Sequence, residues 1–544
     1  MMMKIYSSAG KGLRDLSHNP WSHYLIIFLL IISLAFKFIY LGQVPGINAD
    51  EAYWSVVLQD FSNGVGEWPW SPPTTRLMNP LYPALIWIAN HVFPLGFGYL
   101  RIISVFADFV LLIVAFLVIK GSSKWIDKFI FILLLSSLPL HTVFARLAWE
   151  PCLIPLFSFL TIHFAMERKF FYCSLALVVG ILVHPTLVFL SPIVFILWIE
   201  HFRGAQLSGT NLRRQMICLL LLAEIIFAIC FYTIHVFLRE ENWQGFLGHL
   251  GNFWMLIESF GWLLYSIVGT TVFAEFTGGH FSAGMLGSLS WLGILMILLF
   301  ASLCFLFFKK RRSNALLLTI GLFLSLILFY IGSYFHGAFV QLNENWVWEV
   351  GYQRFILWLG APVVFLIYEA LSALGIKKSG AIVLASAALT YTVYGFFIKS
   401  INQSAFVYPP VYATGLIEPK QAAYEWVKQA IHSQRPKPSG TSMVTPIVAE
   451  DWWLFWPGRY WLGDSHLEFS YFDQGGLTFF PSKYQALTFP EVKRVLDNKG
   501  FVITFFDSPL TQQMRAAGLD RYIVYVAKSG SGDDLILVWH DLKK

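Results

Sequence analysis

The stretch YLIIFLLIISLAFKFIYL, Tyr24 to Leu41, is the first of a series of apolar runs that set the fold class of this chain. Basic residues precede it at Lys4, Lys11 and Arg14, and no small-residue cleavage site appears before Gly42. A secretory signal peptide would carry such a site. The run is also close to the length that crosses a bilayer as a helix, so we expect an uncleaved first transmembrane helix.

The composition of the whole chain supports a membrane protein. Of its 544 residues, 57% are hydrophobic and 13% are charged, whereas charged residues make up about a quarter of a soluble protein. The net charge of +6 is explained by basic residues between the apolar runs, so no nucleic-acid partner is expected. The five cysteines lie in apolar stretches and show neither a disulfide nor a metal-binding spacing.

Apolar runs recur up to about residue 398 and predict about eleven transmembrane spans. We place them at 24–41, 100–119, 129–146, 149–166, 170–185, 186–200, 215–238, 286–308, 315–335, 354–374 and 380–398. Under this count the basic clusters of the connections all fall on the side of the N-terminus, as the positive-inside rule requires. The sequence therefore predicts a multi-pass protein of a bacterial-type inner membrane, with its N-terminus cytoplasmic and its C-terminus outside.

Outer segments are expected at about 239–285 and at 336–353, and two larger regions are also expected outside the membrane. The first is an outer loop over residues 42–99, with amphipathic stretches at Asp50–Phe61 and Pro80–Phe93 that suit surface helices. The second is a small extracytoplasmic α/β domain over residues 400–544. Its helices are expected at Pro419–His432, at Pro490–Asn498 and after Ser508, and its strands at Met443–Ala449, Phe501–Phe506, Tyr522–Val526 and Leu535–Trp539.

The sequence Asn48-Ala49-Asp50-Glu51-Ala52-Tyr53-Trp54 places two acids just outside the first span. A carboxylate there can take the proton of an acceptor hydroxyl or amine while a lipid-linked donor keeps its tail in the bilayer. The alternative is structural, because Asn48 with Glu51 three residues on matches a capping box. If Glu51 closes that box, Asp50 is the candidate base. The two acids are a weak signal for a divalent cation, and no cofactor is expected with certainty.

A donor linked through phosphate also needs cations at the outer face. The candidates are Arg76, Arg101, Arg146 and Arg354, although lone arginines at helix ends also snorkel or pair. Glu150 stands one helical turn from Arg146 and could pair with it or face a substrate cavity. His184 before Pro185 suits a helix break more than a catalytic base, and a substrate contact is the alternative. Trp346 suits an interfacial belt or a sugar contact. Trp452 and Trp453 suit docking of the C-terminal domain more than acceptor contact.

These features resemble the GT-C glycosyltransferase superfamily, in its protein O-mannosyltransferase and aminoarabinose transferase branch. The resemblance covers residues 24–400 and lies in the Asp50-Glu51 pair, Arg101 and Arg354 at span starts, and Asn79-Pro80-Leu81-Tyr82-Pro83, which is similar to a Lys-Pro-Pro-Leu-Tyr motif. It implies a GT-C transmembrane catalytic domain over residues 1–399 and inverting sugar transfer from a polyprenyl phosphate. It also implies Asp50 as base and Arg101 and Arg354 as phosphate or structural contacts.

Two departures from the family pattern matter. Asn79 replaces the family's lysine, which shifts expected phosphate binding to Arg76 and leaves Asn79 and Tyr82 as substrate contacts. No extra sugar-binding module is present, so a protein acceptor is not implied.

The expected donor is a polyprenyl-phosphate-linked sugar that is mannose-like or aminopentose-like, and the acceptor is a lipid, an envelope glycan or a protein. A flippase for a polyprenyl-linked glycan is one alternative, and an O-antigen-type ligase or polymerase is another. The first would need paired broken helices near the midplane, and the second a large late outer loop rich in arginine. No P-loop, nucleophile elbow or zinc-protease motif appears in the sequence.

Overall fold

Helices make up most of the membrane part of this protein. The computed structural model describes residues 20–44, 46–65, 68–69, 81–92, 97–119, 125–204, 243–269, 283–333, 339–342, 345–348, 356–395, 419–434, 444–463, 467–473, 484–528 and 532–541.

The N-terminal half begins with α1 (Trp21–Phe36), which is followed by two helices of the expected outer loop, α2 (Ala49–Ser62) and α3 (Leu81–Val92). Both amphipathic stretches are thus helical, as predicted. The next helices are α4 (Phe97–Val118), α5 (Trp125–Ser137), α6 (Pro139–Phe144), α7 (Ile154–Met166), α8 (Phe170–Val183) and α9 (Ser191–Gly204). Short 3-10 turns at Glu150–Leu153 and Pro185–Leu190 precede α7 and α9.

The second half of the membrane part contains α10 (Trp243–Gly251), α11 (Phe253–Ile267), α12 (Ala283–Lys309), α13 (Ser313–Ser333), α14 (Gly360–Leu374) and α15 (Lys377–Thr392). Between α13 and α14 an antiparallel hairpin joins β1 (Phe339–Leu342) to β2 (Asn345–Trp348), with Phe339 opposite Trp348. The expected outer segment 239–285 therefore contains two helices, of which α11 packs along α12.

Within the described ranges, four helical segments are long and apolar enough to cross a membrane: 101–118, 287–309, 313–332 and 356–374. Other apolar helices are shorter, such as Trp21–Phe36 and Phe170–Val183, and the predicted span 215–238 lies outside the described residues. The count of about eleven spans is therefore not confirmed. A membrane location is supported by the four segments and by the large apolar side chains exposed on α12, namely Trp291, Phe305 and Phe308.

The predicted span 129–146 is wrong as a single helix. Helix α5 ends at Ser137, Leu138 is extended, and Pro139 starts the short helix α6. Proline lacks the N–H that continues a helix and disfavours helical backbone in the residue before it, which accounts for the break. The chain then turns at Ala145–Arg146 and brings Arg146 and Ala148 beside the start of α2.

The C-terminal part forms one six-stranded sheet with helices against it. Its elements are α16 (Pro419–Gln434), β3 (Thr445–Ala449), α17 (Trp452–Leu462), β4 (Leu467–Phe472), β5 (Gln485–Leu487), α18 (Phe489–Asp497), β6 (Phe501–Phe505), α19 (Pro509–Ala516), β7 (Ile523–Lys528) and β8 (Asp534–Trp539). The strand order is β5-β4-β3-β6-β8-β7, parallel from β5 to β6 and antiparallel at β8 and β7.

The predicted helices and strands of this region are confirmed to within a few residues, whereas α17, β4 and β5 were not predicted. The order of the strands places β3 between β4 and β6, so the chain leaves β3 toward one side of the sheet and later returns on the other. The carboxyl end of β3, where such sheets commonly place functional residues, leads directly into Glu450, Asp451 and α17.

Packing of α11 against α12 gives a stability prediction. A Cβ at Gly293 would collide with the backbone carbonyl oxygen of Ile257, whereas a Cβ at Gly287, on the same helix, would meet no atom within 4 Å. We expect Gly293→Ala to destabilise the protein by about 1–3 kcal/mol, because the two helices must separate. Gly287→Ala should leave stability unchanged or raise it slightly, because alanine favours the helix. Thermal unfolding in detergent measures both, and equal melting temperatures would contradict the close packing.

Candidate functional site

The first turn of α2 is built as a capping box. The Asn48 side chain accepts a hydrogen bond from the Asp50 N–H at 3.0 Å, and the Glu51 carboxylate accepts one from the Asn48 N–H, also at 3.0 Å. Both side chains satisfy N–H groups that the helix itself leaves without partners. The capping alternative from the sequence is therefore the observed arrangement, and it commits Glu51 to a structural role.

Glu51 accepts more than the capping bond. Its Oε1 accepts from Arg101 Nε at 3.0 Å and from the Ala148 N–H at 2.5 Å. Its Oε2 accepts from Arg101 Nη2 at 2.8 Å in addition to the Asn48 N–H. An ionised carboxylate has about four lone-pair positions, so these four donors use its capacity. Neither the second-acid role nor a cation shared with Asp50 fits Glu51 while these bonds are in place.

Two arginines hold the segment between α1 and α2 in place through hydrogen bonds to its backbone. Arg101 donates to the carbonyl oxygens of Leu41 and Gly46, each at 3.0 Å. Arg146 donates to three carbonyls, those of Phe36, Ile39 and Val44, the last at 2.8 Å from Nη2. Both side chains are fully buried. Of the roles expected for Arg101, this geometry favours the structural one, and Arg146 acts in the same way.

A buried ion pair lies at the end of α1. Lys37 donates to Asp108 of α4, and both side chains are more than nine-tenths buried. Nearby, Tyr40 has a φ of 54°, a left-handed conformation that is uncommon for a bulky residue. Such a conformation persists only where its surroundings hold it. The two arginines and this ion pair supply those surroundings, so the backbone that leads to Asp50 is fixed on several sides.

The side chain of Asp50 meets the C-terminal domain. The Trp452 Nε1–H donates to Asp50 Oδ1 at 3.2 Å, and both residues are buried. Tyr53, one turn on, lies between Trp452 and Trp456, with ring centroids 5.7 and 4.8 Å away. Burial raises the pKa of the Tyr53 phenol, and the charge of Asp50 raises it further. This phenol is therefore neutral beside the carboxylate of Asp50.

Two further contacts dock the C-terminal domain along α2. Lys420 Nζ donates to the carbonyl oxygen of Ile47 at 3.1 Å, immediately before the cap residue Asn48. Near the other end of α2, Arg459 Nη2 lies 3.4 Å from Asp60 Oδ2. Helix α17 thus lies along α2 from its first turn to its last. This is the docking role that the sequence analysis preferred for the aromatic residues after β3.

The remaining described candidates are Glu150, Tyr82 and His184. The Trp54 Nε1–H donates to Glu150 Oε2 at 3.1 Å, and the ring of Tyr82 on α3 is 5.9 Å from that of Trp54. The Tyr82 hydroxyl is fully buried and finds no hydrogen-bond partner among the described residues. His184 is the break residue between α8 and the following 3-10 turn, with Nδ1 2.8 Å from Thr186 Oγ1. Glu150 and Tyr82 are therefore close to the Glu51 network.

Three sequence candidates, Arg76, Asn79 and Arg354, lie outside the described residues. Trp346 belongs to β2, but its side chain also lies outside them. Among the side chains that the structure describes, no three of the types His, Cys, Asp and Glu are grouped so that they could hold a metal ion.

Two more buried acids follow β3. Glu450 accepts from the N–H groups of Phe505 at 3.0 Å and Leu510 at 3.2 Å, and Asp451 caps α17 through the Leu454 N–H. Burial raises the pKa of both carboxyls, and the neighbouring charge of Asp451 also raises that of Glu450. Glu450 thus ties the end of β3 to the end of β6 and the start of α19, and Asp451 orients α17. Glu450 and Leu510 are 60 residues apart, so no local pattern in the sequence reveals this contact.

Comparisons with known proteins add little. No protein-family model matches the chain, and no curated protein matches it. Among solved structures it is similar to ArnT from Cupriavidus metallidurans, in the apo state at 15% identity and bound to undecaprenyl phosphate at 13% identity. Each alignment covers 94% of this chain and 97% of that chain, with a TM-score of 0.43. Scores this low carry no argument about function, which therefore rests on the residues of this chain.

The Glu51 network predicts that the two adjacent acids differ in their effect on stability. Glu51→Gln leaves the buried Arg101 without its counter-charge, and we expect a loss of about 3–5 kcal/mol. Asp50→Asn keeps an oxygen that can accept from Trp452, so we expect a change of about 1 kcal/mol or less. Thermal unfolding in detergent compares the two variants. A Glu51→Gln protein as stable as Asp50→Asn would show that the network does not hold α2.

Proposed function

We propose that this protein is a glycosyltransferase that moves a sugar from a polyprenyl-phosphate donor to an acceptor hydroxyl or amine at the outer face of the membrane. The observation that carries the proposal is that two adjacent acids, Asp50 and Glu51, have different hydrogen-bond partners. Four donors bond to the Glu51 carboxylate and hold the start of α2, whereas the adjacent Asp50 carboxylate accepts from the indole N–H of Trp452. A base needs such support to keep its geometry.

The proposed reaction is a single displacement. Asp50 takes the proton of the acceptor while the acceptor oxygen or nitrogen forms a bond to the anomeric carbon of the sugar. The bond from that carbon to the phosphate oxygen breaks, and the polyprenyl phosphate leaves with the electron pair. Attack from the face opposite the phosphate inverts the anomeric configuration, which is the outcome that the resemblance implies. Removal of a proton during attack is the task for which a positioned carboxylate is suited.

The leaving phosphate needs cations. The contacts of Arg101 and Arg146 described above go to Glu51 and to backbone carbonyls. We therefore assign the phosphate to Arg76 and Arg354, which the sequence puts at the outer side. Arginine suits this role because its planar donors match phosphate oxygens and its charge persists at all physiological pH values. Mannose-like and aminopentose-like sugars both fit this scheme, as do lipid, glycan and protein acceptors.

The test is sugar transfer in proteoliposomes with radiolabelled polyprenyl-phosphate sugars and an envelope extract as the acceptor pool. We expect Asp50→Asn to lower transfer by about 10²–10⁴-fold, the usual contribution of a general base. Its matched control is Asp60→Asn on the same helix. Asp60 forms a partly exposed ion pair with Arg459, a type of contact that contributes about 0–1 kcal/mol, so transfer should stay within a few-fold of wild type.

Three results would count against the proposal. Transfer that survives in a folded Asp50→Asn protein would remove Asp50 as the base. Equal losses in both variants would point to a general effect of changing α2. No transfer by wild type from any donor, with labelled lipid changing leaflet instead, would favour a flippase.

A further inference from the structure

We propose that Trp452 of the C-terminal domain is a positioning residue for Asp50, so that the catalytic site is completed by a domain that follows the membrane part in the chain. This inference rests on the proposed function, because it concerns the acid assigned there as base. The C-terminal domain is then part of the transferase rather than an appended module.

The geometry separates Trp452 from an ordinary packing residue. Its Nε1–H points at Asp50 Oδ1 across 3.2 Å, and the two side chains are only 5% and 7% exposed. Trp452 is the first residue of α17, directly after Asp451, whose carboxylate caps that helix. Lys420 of the C-terminal domain also binds the start of α2, by donating to the carbonyl oxygen of Ile47. The indole is therefore held by its own domain while it contacts the acid of the other.

Trp456, one turn along α17, provides an internal comparison. Its ring also packs on Tyr53, with centroids 4.8 Å apart, and it is fully buried. Its indole N–H has no hydrogen-bond partner among the described residues. Both tryptophans thus pack against Tyr53, but the N–H of Trp452 is the one directed at Asp50. If aromatic packing were all that mattered, the two would behave alike.

The bond affects the chemistry through the charge of Asp50. A donor that bonds to a carboxylate stabilises its ionised form and lowers its pKa. Loss of the N–H should raise that pKa, so a base that must be deprotonated would lose activity at a higher pH than before. One hydrogen bond to a charged group corresponds to a shift of about one pH unit.

Other charges around Asp50 stay in place in such a variant and so do not cause the shift. Among the described residues, the charged and titratable groups of this region include Glu51 and Tyr53 of α2, Arg101 of α4, Glu150, Lys420 of α16, Asp451 and Tyr460 of α17, and Tyr484.

The experiment measures kcat/KM for sugar transfer against pH in proteoliposomes that hold the full chain. Trp452→Phe removes the N–H but keeps an aromatic ring, and we expect the acidic limb of the profile to move up by about one pH unit. Trp456→Phe is the matched control and should leave the limb where it is in wild type. Trp452→His is the rescue variant, because its Nε2 stands the same number of bonds from Cβ as the indole Nε1. Its limb should lie at a lower pH than that of Trp452→Phe.

The outcomes distinguish failure of the positioning role of Trp452 from failure of the proposed function. A limb that does not move in Trp452→Phe, or moves equally in both Phe variants, overturns the positioning role while leaving the proposed function in place. Failure of the proposed function shows separately, as no transfer by wild type. If Trp452→Phe proves too unstable to assay, Trp452→His carries the test. A profile for that variant shifted up by a full pH unit, despite its ring N–H, would overturn the inference.

Discussion

The architecture around the site depends on one buried carboxylate, that of Glu51. It joins the start of α2, the guanidinium of Arg101 on α4 and the backbone at Ala148, three segments that are distant in sequence. A buried charge is costly unless it is paired and fully hydrogen-bonded, and here every lone pair has a donor. The arrangement is therefore close to all-or-none, because the loss of one partner leaves the others as uncompensated charge or unsatisfied N–H groups. Such a network defines a single position for the helix that carries Asp50.

The arginines show why residue type alone does not reveal a role at a membrane edge. A sequence with arginines on the outer side invites an assignment to phosphate, since positive charge is depleted there. In the structure Arg101 and Arg146 instead donate to backbone carbonyl oxygens at the end of α1 and in the connection to α2. With five N–H donors in a rigid plane, arginine is well suited to satisfying several carbonyls at once. A phosphate and a turn rich in carbonyl groups both require several N–H donors in one place, so an arginine in the sequence is compatible with either role.

Prediction from the sequence succeeded where the signal is local. Hydrophobic length located the four helical segments that, among the described residues, are long enough to cross a membrane. The Asn48–Glu51 spacing predicted the capping box, and the Ser508-Pro509 start predicted α19. Prediction failed where local signals conflict. Pro139 divides an apolar run into two helices. Helix α17 contains Pro457 within an aromatic sequence whose pattern predicts neither a helix nor a strand. The hydrogen-bond partners of Asp50 and Glu450 could not be predicted from the sequence for another reason. They are set by tertiary packing across tens to hundreds of residues, which no period or motif encodes.

The hydrogen bond between Trp452 and Asp50 joins positions 402 residues apart. Contacts of such long range form late, because the whole intervening chain must be ordered before they can close. Under the proposed function, a protein whose C-terminal domain has not yet folded therefore has its acid in place but lacks the indole that positions it. Folding of that domain would then be the step that completes the site. A protein misfolded in this domain would keep its membrane helices but would leave its lipid-linked donor unused.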